Sequence, residues 1–299
     1  MNTIHPGVMS AFLTPFNEDN SVKVSAIKEL VDFQLARGLH GLYLCGSTGE
    51  GMLMSKEERM LVAEEAIKAA SGRTQVIVHV GSPDEGTAIE LAKHAEKAGA
   101  TGLSAVPPYY YKHHKEYVIS YYRDIAQATQ LPFLIYYIPS LVVGLDFATI
   151  TTLMMEPNIV GLKWTEDNLE ALYNFKELHS DKLAFNGHDA MLLSALILGV
   201  DGGIGSFYNV MPEGFTRVYN FFKENKLNEA IHEMRQIDHF IRIMKKYQLT
   251  ANQIPLKAVL RKYGVDVGVP RRPIIPASEE TEKALIRDLE NEGFFSIYR

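Results

Sequence analysis

The segment 158–167 holds the residue best suited to covalent chemistry. Ile159, Val160 and Leu162 form a short apolar run typical of a buried strand in a parallel sheet, and Lys163 follows at its end. Because burial disfavours a charged ammonium, a lysine here is expected to act as a free amine, a nucleophile that condenses with a ketone. On this segment alone, a lysine that extends from the strand end into water is the commoner outcome. Other residues of the chain must therefore distinguish a buried, nucleophilic lysine from one that is exposed to water.

Polar side chains also follow other predicted strands. Ser47 and Thr48 occupy a glycine-flanked turn whose hydroxyl and N–H groups suit a carboxylate or a phosphate. Tyr136 ends the strand before that of Lys163, so a phenol that relays protons is expected within reach of the same substrate. Tyr110 stands among three tyrosines after an earlier strand, where packing or a subunit contact would also explain it. Further groups able to bind a hydroxylated substrate are Gly187, His188, Asp189, Gly205 and Ser206.

These residues are positioned by regularly alternating strand and helix patterns. Eight such units favour a closed (β/α)8 TIM barrel over an open sheet, and the barrel is predicted as a catalytic domain at 1–225. In this fold the residues that follow each strand face a common bowl. Strands are predicted at 7–13, 41–45, 76–80, 102–106, 133–137, 159–163, 183–186 and 202–204, and helices at 24–37, after a Ser55 cap, and at 85–98, 116–128, 147–155, 168–178 and 189–198.

The remaining residues, 226–299, are predicted to form a three-helix C-terminal extension. The helices are expected at 226–246, 253–263 and 278–290, separated by Thr250-Ala251-Asn252 and by a loop at 268–273. This pattern indicates an appendix to the barrel rather than a second catalytic domain.

The composition argues against several classes of function. The chain has 299 residues, of which 46% are hydrophobic and 22% charged, so it is expected to be globular with a large core. The net charge of −6 with intermixed signs gives no basic face for nucleic acid, and no apolar run approaches the ~20 residues of a membrane span. A single cysteine, Cys45, and a start without a leader pattern lead us to expect a cytoplasmic location.

Bound metal and nucleotide cofactors are not expected. His188 and Asp189 supply one histidine and one carboxylate without further placed ligands, which is a weak case for a metal. The glycines at 202–206 come too late and with the wrong spacing for a dinucleotide fingerprint.

Several motifs occur together in a characteristic order along nearly the whole chain. With them the chain resembles the pyruvate-dependent class I aldolases that include N-acetylneuraminate lyase and dihydrodipicolinate synthase. The resemblance implies a homotetramer built as a dimer of dimers and a small 2-oxo acid as substrate. The motifs are Gly46-Ser47-Thr48-Gly49-Glu50, Tyr136 with Ile138-Pro139, Gly161-Leu162-Lys163 with Thr165, Asn186-Gly187, and Gly202-Gly203-Ile204-Gly205-Ser206.

The resemblance also implies roles. Lys163 would form a Schiff base with the 2-oxo carbon, and Ser47 and Thr48 would bind the adjoining carboxylate. Tyr136 would pass protons, and Tyr110 would support it from across a subunit contact. Because the protonated imine is itself an electron sink for the carbanion formed when the C3–C4 bond breaks, neither metal nor cofactor is needed.

Within this family the residues fit the N-acetylneuraminate lyase branch. Synthases are expected to carry an arginine where this chain has Leu141, so the second substrate's carboxylate would go unpaired. The lyase reaction would yield pyruvate and N-acetylmannosamine. Residues that fit substrate binding in that branch are Thr165, Gly187, Asp189, Gly205 and Ser206.

At three positions the residue differs from the one expected in that branch. His188 and Ala190 replace a tyrosine and a glutamate, so Ala190 cannot accept hydrogen bonds from a sugar tail. Trp164 stands where a polar residue is common and is expected to narrow the bowl or to stack on a sugar face. These departures leave open an aldolase or hydro-lyase for another 2-oxo-3-deoxy sugar acid, and less readily 4-hydroxy-tetrahydrodipicolinate synthase or a sensor that binds pyruvate-like acids without turnover.

Overall fold

Eight parallel strands close into a barrel at the centre of the protein. The computed structural model describes residues 3–249 and 251–299. The strands are β1 (Gly7–Ala11), β2 (Gly41–Leu44), β3 (Gln75–His79), β4 (Gly102–Ala105), β5 (Phe133–Tyr137), β6 (Ile159–Trp164), β7 (Leu183–Asn186) and β8 (Gly202–Gly205). Each strand pairs with the next, and β8 pairs with β1 to complete the ring. The predicted TIM barrel with C-terminal helices is confirmed.

Helices connect the strands and continue beyond them. They are α1 (Val24–Ala36), α2 (Lys56–Ala70), α3 (Glu85–Ala98), α4 (Lys115–Gln127), α5 (Phe147–Leu153), α6 (Leu169–Leu178), α7 (Leu192–Ile197), α8 (Pro212–Lys223), α9 (Leu227–Lys245), α10 (Gln253–Lys262), α11 (Glu279–Asn291) and α12 (Phe294–Ile297). Most ends fall within two residues of the predicted ones. The helix predicted at 189–198 instead begins with a 3-10 turn, Asp189–Met191. Among the residues described, no helix is long and apolar enough to cross a membrane.

Side chains on the strands point alternately into the barrel and outward against the helices. The inward ones form their own cluster, which includes Met9, Tyr43, Tyr136, Phe185 and Ile204. A larger apolar cluster fills the space between the strands and the surrounding helices. Because the barrel interior is packed, a ligand site must lie at the mouth of the barrel, beyond the strand ends.

The cap predicted at the start of α2 is present. The Ser55 hydroxyl accepts a hydrogen bond from the Glu58 N–H at 3.2 Å, and the Glu58 carboxylate accepts one from the Ser55 N–H at 2.8 Å. This reciprocal pair satisfies two backbone donors that a helix start leaves open. It therefore fixes where the segment after β2 turns back along the barrel.

The C-terminal helices pack closely on the barrel. Helix α9 lies along α8, and the apolar cluster outside the strands continues into this region through Met244, Leu260 and Leu289. The three predicted helices correspond to α9, α10 and α11, whereas the short α12 was not predicted. Of the predicted break at 250–252, Thr250 lies outside the described residues. Helix α10 begins beside the barrel mouth, which brings this region to the site.

Candidate active site

A cavity of about 440 Å³ opens beyond the carboxyl ends of the strands. It is the bowl expected of a TIM barrel. Most residues singled out from the sequence line it, whereas Tyr110, Gly205 and Trp164 do not. Those lining it are Ser47, Thr48, Tyr136, Leu141, Lys163, Thr165, Gly187, His188, Asp189, Ala190 and Ser206.

Lys163 lies at the bottom of this cavity and is 4% exposed. It is the penultimate residue of β6 and the register partner of Tyr136 on β5. Its Nζ is 4.2 Å from the centroid of the Tyr136 ring and 4.3 Å from that of the Tyr43 ring. The face of an aromatic ring carries negative charge and attracts a cation. The two rings therefore shield this nitrogen from water, and their faces would stabilise a cationic group formed between them.

Tyr43 is a member of the site that was not predicted from the sequence. It points inward from β2, and its hydroxyl donates to Ser104 Oγ at 3.0 Å. Complete burial raises the pKa of its phenol well above the ordinary value, so the ring stays neutral beside Lys163. The signal that could have revealed Tyr43 is its inward place in the two-residue alternation of β2, because the predicted site residues came only from positions at or beyond the strand ends.

His79 supports the two rings from behind. Its Nε2 accepts a hydrogen bond from the Val106 N–H at 3.1 Å, and its ring meets that of Tyr136 edge-on at 6.0 Å between centroids. Burial, and next the charges of Arg59 and Lys163, hold the pKa of His79 well below its usual value. His79 is therefore a neutral imidazole that packs against the site.

The turn at 46–51 brings the hydroxyls of Ser47 and Thr48 to the same cavity as Lys163. Thr48 Oγ1 lies 2.7 Å from Ser206 Oγ, which ties the turn after β2 to the end of β8. A Cβ on Gly51 would lie 1.9 Å from a backbone oxygen of the same segment, so only glycine allows the turn to close this tightly. Hydroxyls and backbone N–H groups in such a turn are suited to bind an anion.

Thr165 and Gly187 line the next part of the wall. The Thr165 N–H donates to the Tyr137 carbonyl at 2.8 Å, and the Gly187 N–H donates to the Trp164 carbonyl at 2.6 Å. These bonds hold both residues against the ends of β5 and β6. Within the described part of the chain, the buried Thr165 hydroxyl has no hydrogen-bond partner. Its hydrogen-bonding capacity is therefore unused within this part of the chain.

Asp189 is held by the backbone that follows β8. Its Oδ1 accepts from the Phe207 N–H at 2.8 Å, and a Cβ on Gly205 would lie 2.4 Å from the same oxygen. Gly205 therefore makes room for the carboxylate rather than lining the cavity. Burial raises the pKa of Asp189, and the backbone donors at Ser206 and Phe207 oppose this effect.

His188 contacts a carboxylate at the rim. Its Nε2 lies 3.2 Å from Asp167 Oδ1, a carboxylate that is mostly exposed. No group of three or more histidine, cysteine or acidic residues that could hold a metal ion occurs at 3–249 or 251–299. Ala190 lines the cavity next to this pair and offers a methyl group only.

The expectation for Trp164 is wrong. Trp164 is 2% exposed and belongs to the cluster outside the barrel, where its ring packs on that of Tyr137 at 4.4 Å between centroids. Because β6 continues through this residue, strand alternation turns Trp164 outward when Lys163 points inward. It therefore neither narrows the cavity nor faces a ligand.

Tyr110 lies apart from Lys163 within one chain. Its side chain is 89% exposed, and its φ of 82° is in the left-handed region, unusual for a tyrosine. It lines a smaller adjoining cavity that shares Ser47, Ile138 and Leu141 with the main one. An exposed phenol at this place is consistent with a contact outside the chain.

The C-terminal helices complete the rim, a contribution that was not predicted from the sequence. Gln253 at the start of α10 is buried beside Ser47 and Thr48, and Lys245 is the last residue of α9. No local sequence signal marks these positions, because they reach the barrel mouth only through packing of distant segments. The rim residues from this region are Ile241, Lys245, Ala251, Asn252, Gln253 and Ile274.

A closed barrel with an amine, a phenol and several hydroxyls converging at its carboxyl face defines a TIM-barrel enzyme. More specifically, the chain belongs to the dihydrodipicolinate synthetase family, which it matches over residues 5–292. The resemblance stated from the motifs is thereby confirmed.

Several relatives align over almost the whole chain. N-acetylneuraminate lyase of Rhizobium meliloti (strain 1021) is 34% identical over 282 residues, which are 94% of this chain and 93% of that protein. CdNal from Clostridium difficile, solved in complex with mannosamine, superposes with a TM-score of 0.93 at 29% identity, covering 97% and 99% of the two chains. Dihydrodipicolinate synthase from Aquifex aeolicus superposes with a TM-score of 0.89 at 29% identity, covering 96% and 98%.

Proposed function

We propose that the protein is a Schiff-base lyase that cleaves N-acetylneuraminate into pyruvate and N-acetylmannosamine. The observation that carries this proposal is the Lys163 amine enclosed by the rings of Tyr136 and Tyr43 at the bottom of the cavity. Membership of the family and the similarity to proteins named N-acetylneuraminate lyase support the reaction and the substrate.

The first steps join enzyme and substrate covalently. Lys163 Nζ attacks the 2-oxo carbon, water leaves, and a protonated imine remains between the two rings, where positive charge is favoured. Ser47 and Thr48 bind the adjoining carboxylate through the turn at 46–51. Tyr110 from a second copy of the chain would approach the same turn from its exposed position and support Tyr136.

The cleavage step uses Tyr136 as the base. Its phenol O–H passes its own proton to the carboxylate bound by Ser47 and Thr48 while its oxygen takes the proton of the C4 hydroxyl. The C3–C4 bond then breaks, and the electron pair of that bond moves to the iminium nitrogen to give an enamine. N-acetylmannosamine leaves as its aldehyde. The enamine carbon is then protonated, and water hydrolyses the imine to release pyruvate and the Lys163 amine. The imine is the electron sink, so this sequence requires no metal and no organic cofactor.

The sugar part would lie along the wall formed by β6, β7 and β8. The unpartnered hydroxyl of Thr165, the backbone of Gly187 and the fixed carboxylate of Asp189 suit hydroxyl groups of a polyol. Ser206 completes this wall, and Gly205 makes room beside it for the Asp189 carboxylate.

A second candidate is cleavage or dehydration of another 2-oxo-3-deoxy sugar acid. Ala190 supports it, because its methyl group lines the cavity where a hydrogen-bond acceptor would be needed for a glycerol tail. Leu141, an apolar residue that also lines the cavity, argues against a substrate with a second carboxylate beside it, as the synthase reaction would require.

We further propose an oligomeric state, a domain division and a cellular location for the enzyme. The 89% exposure of Tyr110 supports a homotetramer in which this side chain is covered by a neighbour. We retain 1–225 as the catalytic barrel and 226–299 as its extension, and a cytoplasmic location, which the single cysteine supports.

Reduction of the imine tests the chemistry directly. The purified protein is treated with borohydride in the presence of pyruvate, and its peptides are mapped by mass spectrometry. We expect the pyruvate-derived mass on the peptide that contains Lys163, and none in a Lys163→Arg variant. A second assay follows pyruvate release from N-acetylneuraminate and from a panel of 2-oxo-3-deoxy sugar acids. Labelling of another lysine, or none, would overturn the proposal, and the panel ranks the two candidate substrates by kcat/KM.

A further inference from the structure

Helix α10 contacts the turn that carries Ser47 and Thr48. Gln253, its first residue, donates its side-chain N–H to the Ser47 carbonyl at 3.0 Å and to the Thr48 carbonyl at 3.2 Å. In a trans peptide the C=O and N–H groups point in opposite directions. By holding these two carbonyls, Gln253 also sets the direction of the Thr48 and Gly49 N–H groups.

A buried ion pair holds the far end of the same turn. Glu50 Oε1 lies 3.0 Å from Lys257 Nζ, and both side chains are 0% exposed. Lys257 also donates to the carbonyls of Thr14 at 2.9 Å and Val269 at 2.7 Å. The second Glu50 oxygen accepts from the Arg271 N–H at 2.6 Å. Glu50 is thus connected at once to α10 and to the loop that follows it.

The turn needs such support because its backbone is strained. Cys45 has a φ of 58° and Glu50 a φ of 57°, both in the left-handed region that non-glycine residues avoid. Conformations of this kind are unfavourable and persist only where the surroundings enforce them. The Thr14 hydroxyl, which donates to the Gly49 carbonyl at 2.6 Å, adds a further restraint.

Stability alone is a poor explanation for the buried pair. Desolvation penalises both charges, raising the pKa of Glu50 and lowering that of Lys257 to about 8. Replacing such a pair by apolar residues of similar volume is often neutral or stabilising. What the pair supplies is a fixed direction for the Glu50 end of the turn.

We infer that the Glu50–Lys257 pair and the Gln253 amide are positioning groups, which hold Ser47 and Thr48 in the orientation that binds the carboxylate of a 2-oxo acid. The inference rests on the proposed function, since it takes this turn as the carboxylate subsite. On this inference the C-terminal helices contribute directly to substrate binding in the active site.

Imine formation with pyruvate as the only substrate tests the role of these positioning groups. The fraction of protein trapped by borohydride is measured by mass spectrometry as a function of pyruvate concentration. Gln253→Met removes the amide without adding a buried charge, and Lys257→Met removes the cation. For each we expect the half-saturating pyruvate concentration to rise about tenfold or more, equivalent to about 1.4 kcal/mol, with full trapping at saturation. Lys262→Met, on the same helix in an exposed pair with Glu290, is the matched control and is expected to behave as wild type.

A second comparison separates positioning from folding. Lys257→Met leaves Glu50 buried without its partner, so the double variant Glu50→Gln/Lys257→Met, which carries neither charge, is measured beside it. We expect the double variant to fold and still to require more pyruvate than wild type. Folded Gln253→Met and double variants with the wild-type concentration dependence would overturn the inference alone. If wild type itself traps no pyruvate, the proposed function fails and the inference falls with it.

Discussion

The hydroxyl oxygen of Thr165 occupies the space that a side chain on Gly187 would need, because a Cβ built on Gly187 lies 1.9 Å from that oxygen. The two residues follow β6 and β7, so neighbouring strands jointly fix the position of one hydroxyl in the cavity. The hydroxyl is buried and has no hydrogen-bond partner among the described residues, although Thr165 itself lines the cavity.

Gly187→Ala is therefore expected to impair the reaction by displacing Thr165. The added methyl group cannot fit without moving the hydroxyl or the backbone, and we expect kcat/KM to fall roughly 10- to 100-fold, as misplaced contacts in enzyme sites commonly cause. Steady-state pyruvate release measures this. Thr165→Val, which removes the hydroxyl without adding bulk near Gly187, is the companion variant. Wild-type kcat/KM in Gly187→Ala would mean that Thr165 does not contact the substrate.

Tyr136→Phe is expected to separate imine formation from cleavage. The phenylalanine keeps the ring face 4.2 Å from Lys163 Nζ but removes the hydroxyl. Borohydride should still trap pyruvate, whereas kcat for cleavage should fall about 10²- to 10⁴-fold, the usual contribution of a proton-transfer group. Tyr43→Phe is the matched control, since it keeps the other ring and removes a hydroxyl that is bonded to Ser104. Equal losses in the two variants would argue against Tyr136 as the base.

Ala190→Glu tests whether the substrate carries a glycerol tail. A glutamate at this cavity-lining position would supply the acceptor that the alanine lacks. If N-acetylneuraminate is the substrate, one added hydrogen bond worth about 0.5 to 1.5 kcal/mol should raise kcat/KM by roughly 2- to 12-fold. Ala190→Gln keeps the acceptor without the charge and is the control. A fall in kcat/KM with both variants would favour a substrate without a glycerol tail.

Acid should destabilise the protein through His79. Its pKa is lowered well below 6.5 by burial, so between the folded and unfolded values only the unfolded chain binds the proton. The contribution of the neutral, buried His79 to the free energy of unfolding is therefore complete above pH 6.5. This contribution is lost as the pH falls, by about 1 kcal/mol between pH 7 and 5.5. The free energy of unfolding in urea at both pH values measures this loss, which His79→Gln should reduce. His113→Gln, at an exposed position, should leave it unchanged.

The barrel and the central residues of the site could be predicted because they depend on local patterns. Alternating apolar runs give the strand positions, and the shared carboxyl face of the strands brings Tyr136 and Lys163 together. Trp164 was misplaced because β6 is one residue longer than predicted, and a single residue decides which face a side chain takes.

Other parts of the site have no local signal. Tyr43 lies within β2 rather than beyond its end, so a search of strand ends passes over it. Lys257 reads as one more lysine of an amphipathic helix, and only the packing of α10 reveals that its side chain is fully buried against Glu50. Such contacts depend on tertiary geometry, which a linear pattern does not encode.

The link between α10 and the turn at 46–51 has a consequence for biosynthesis. Gln253 follows Ser47 by 206 residues, so at ~5 to 20 residues per second the ribosome adds it roughly 10 to 40 s later. Throughout that interval the nascent barrel carries Glu50 without its counter-ion. The turn at 46–51 therefore gains its full support among the last events of translation, and a polypeptide that ends before α10 is expected to bind a 2-oxo acid more weakly even if its strands have closed.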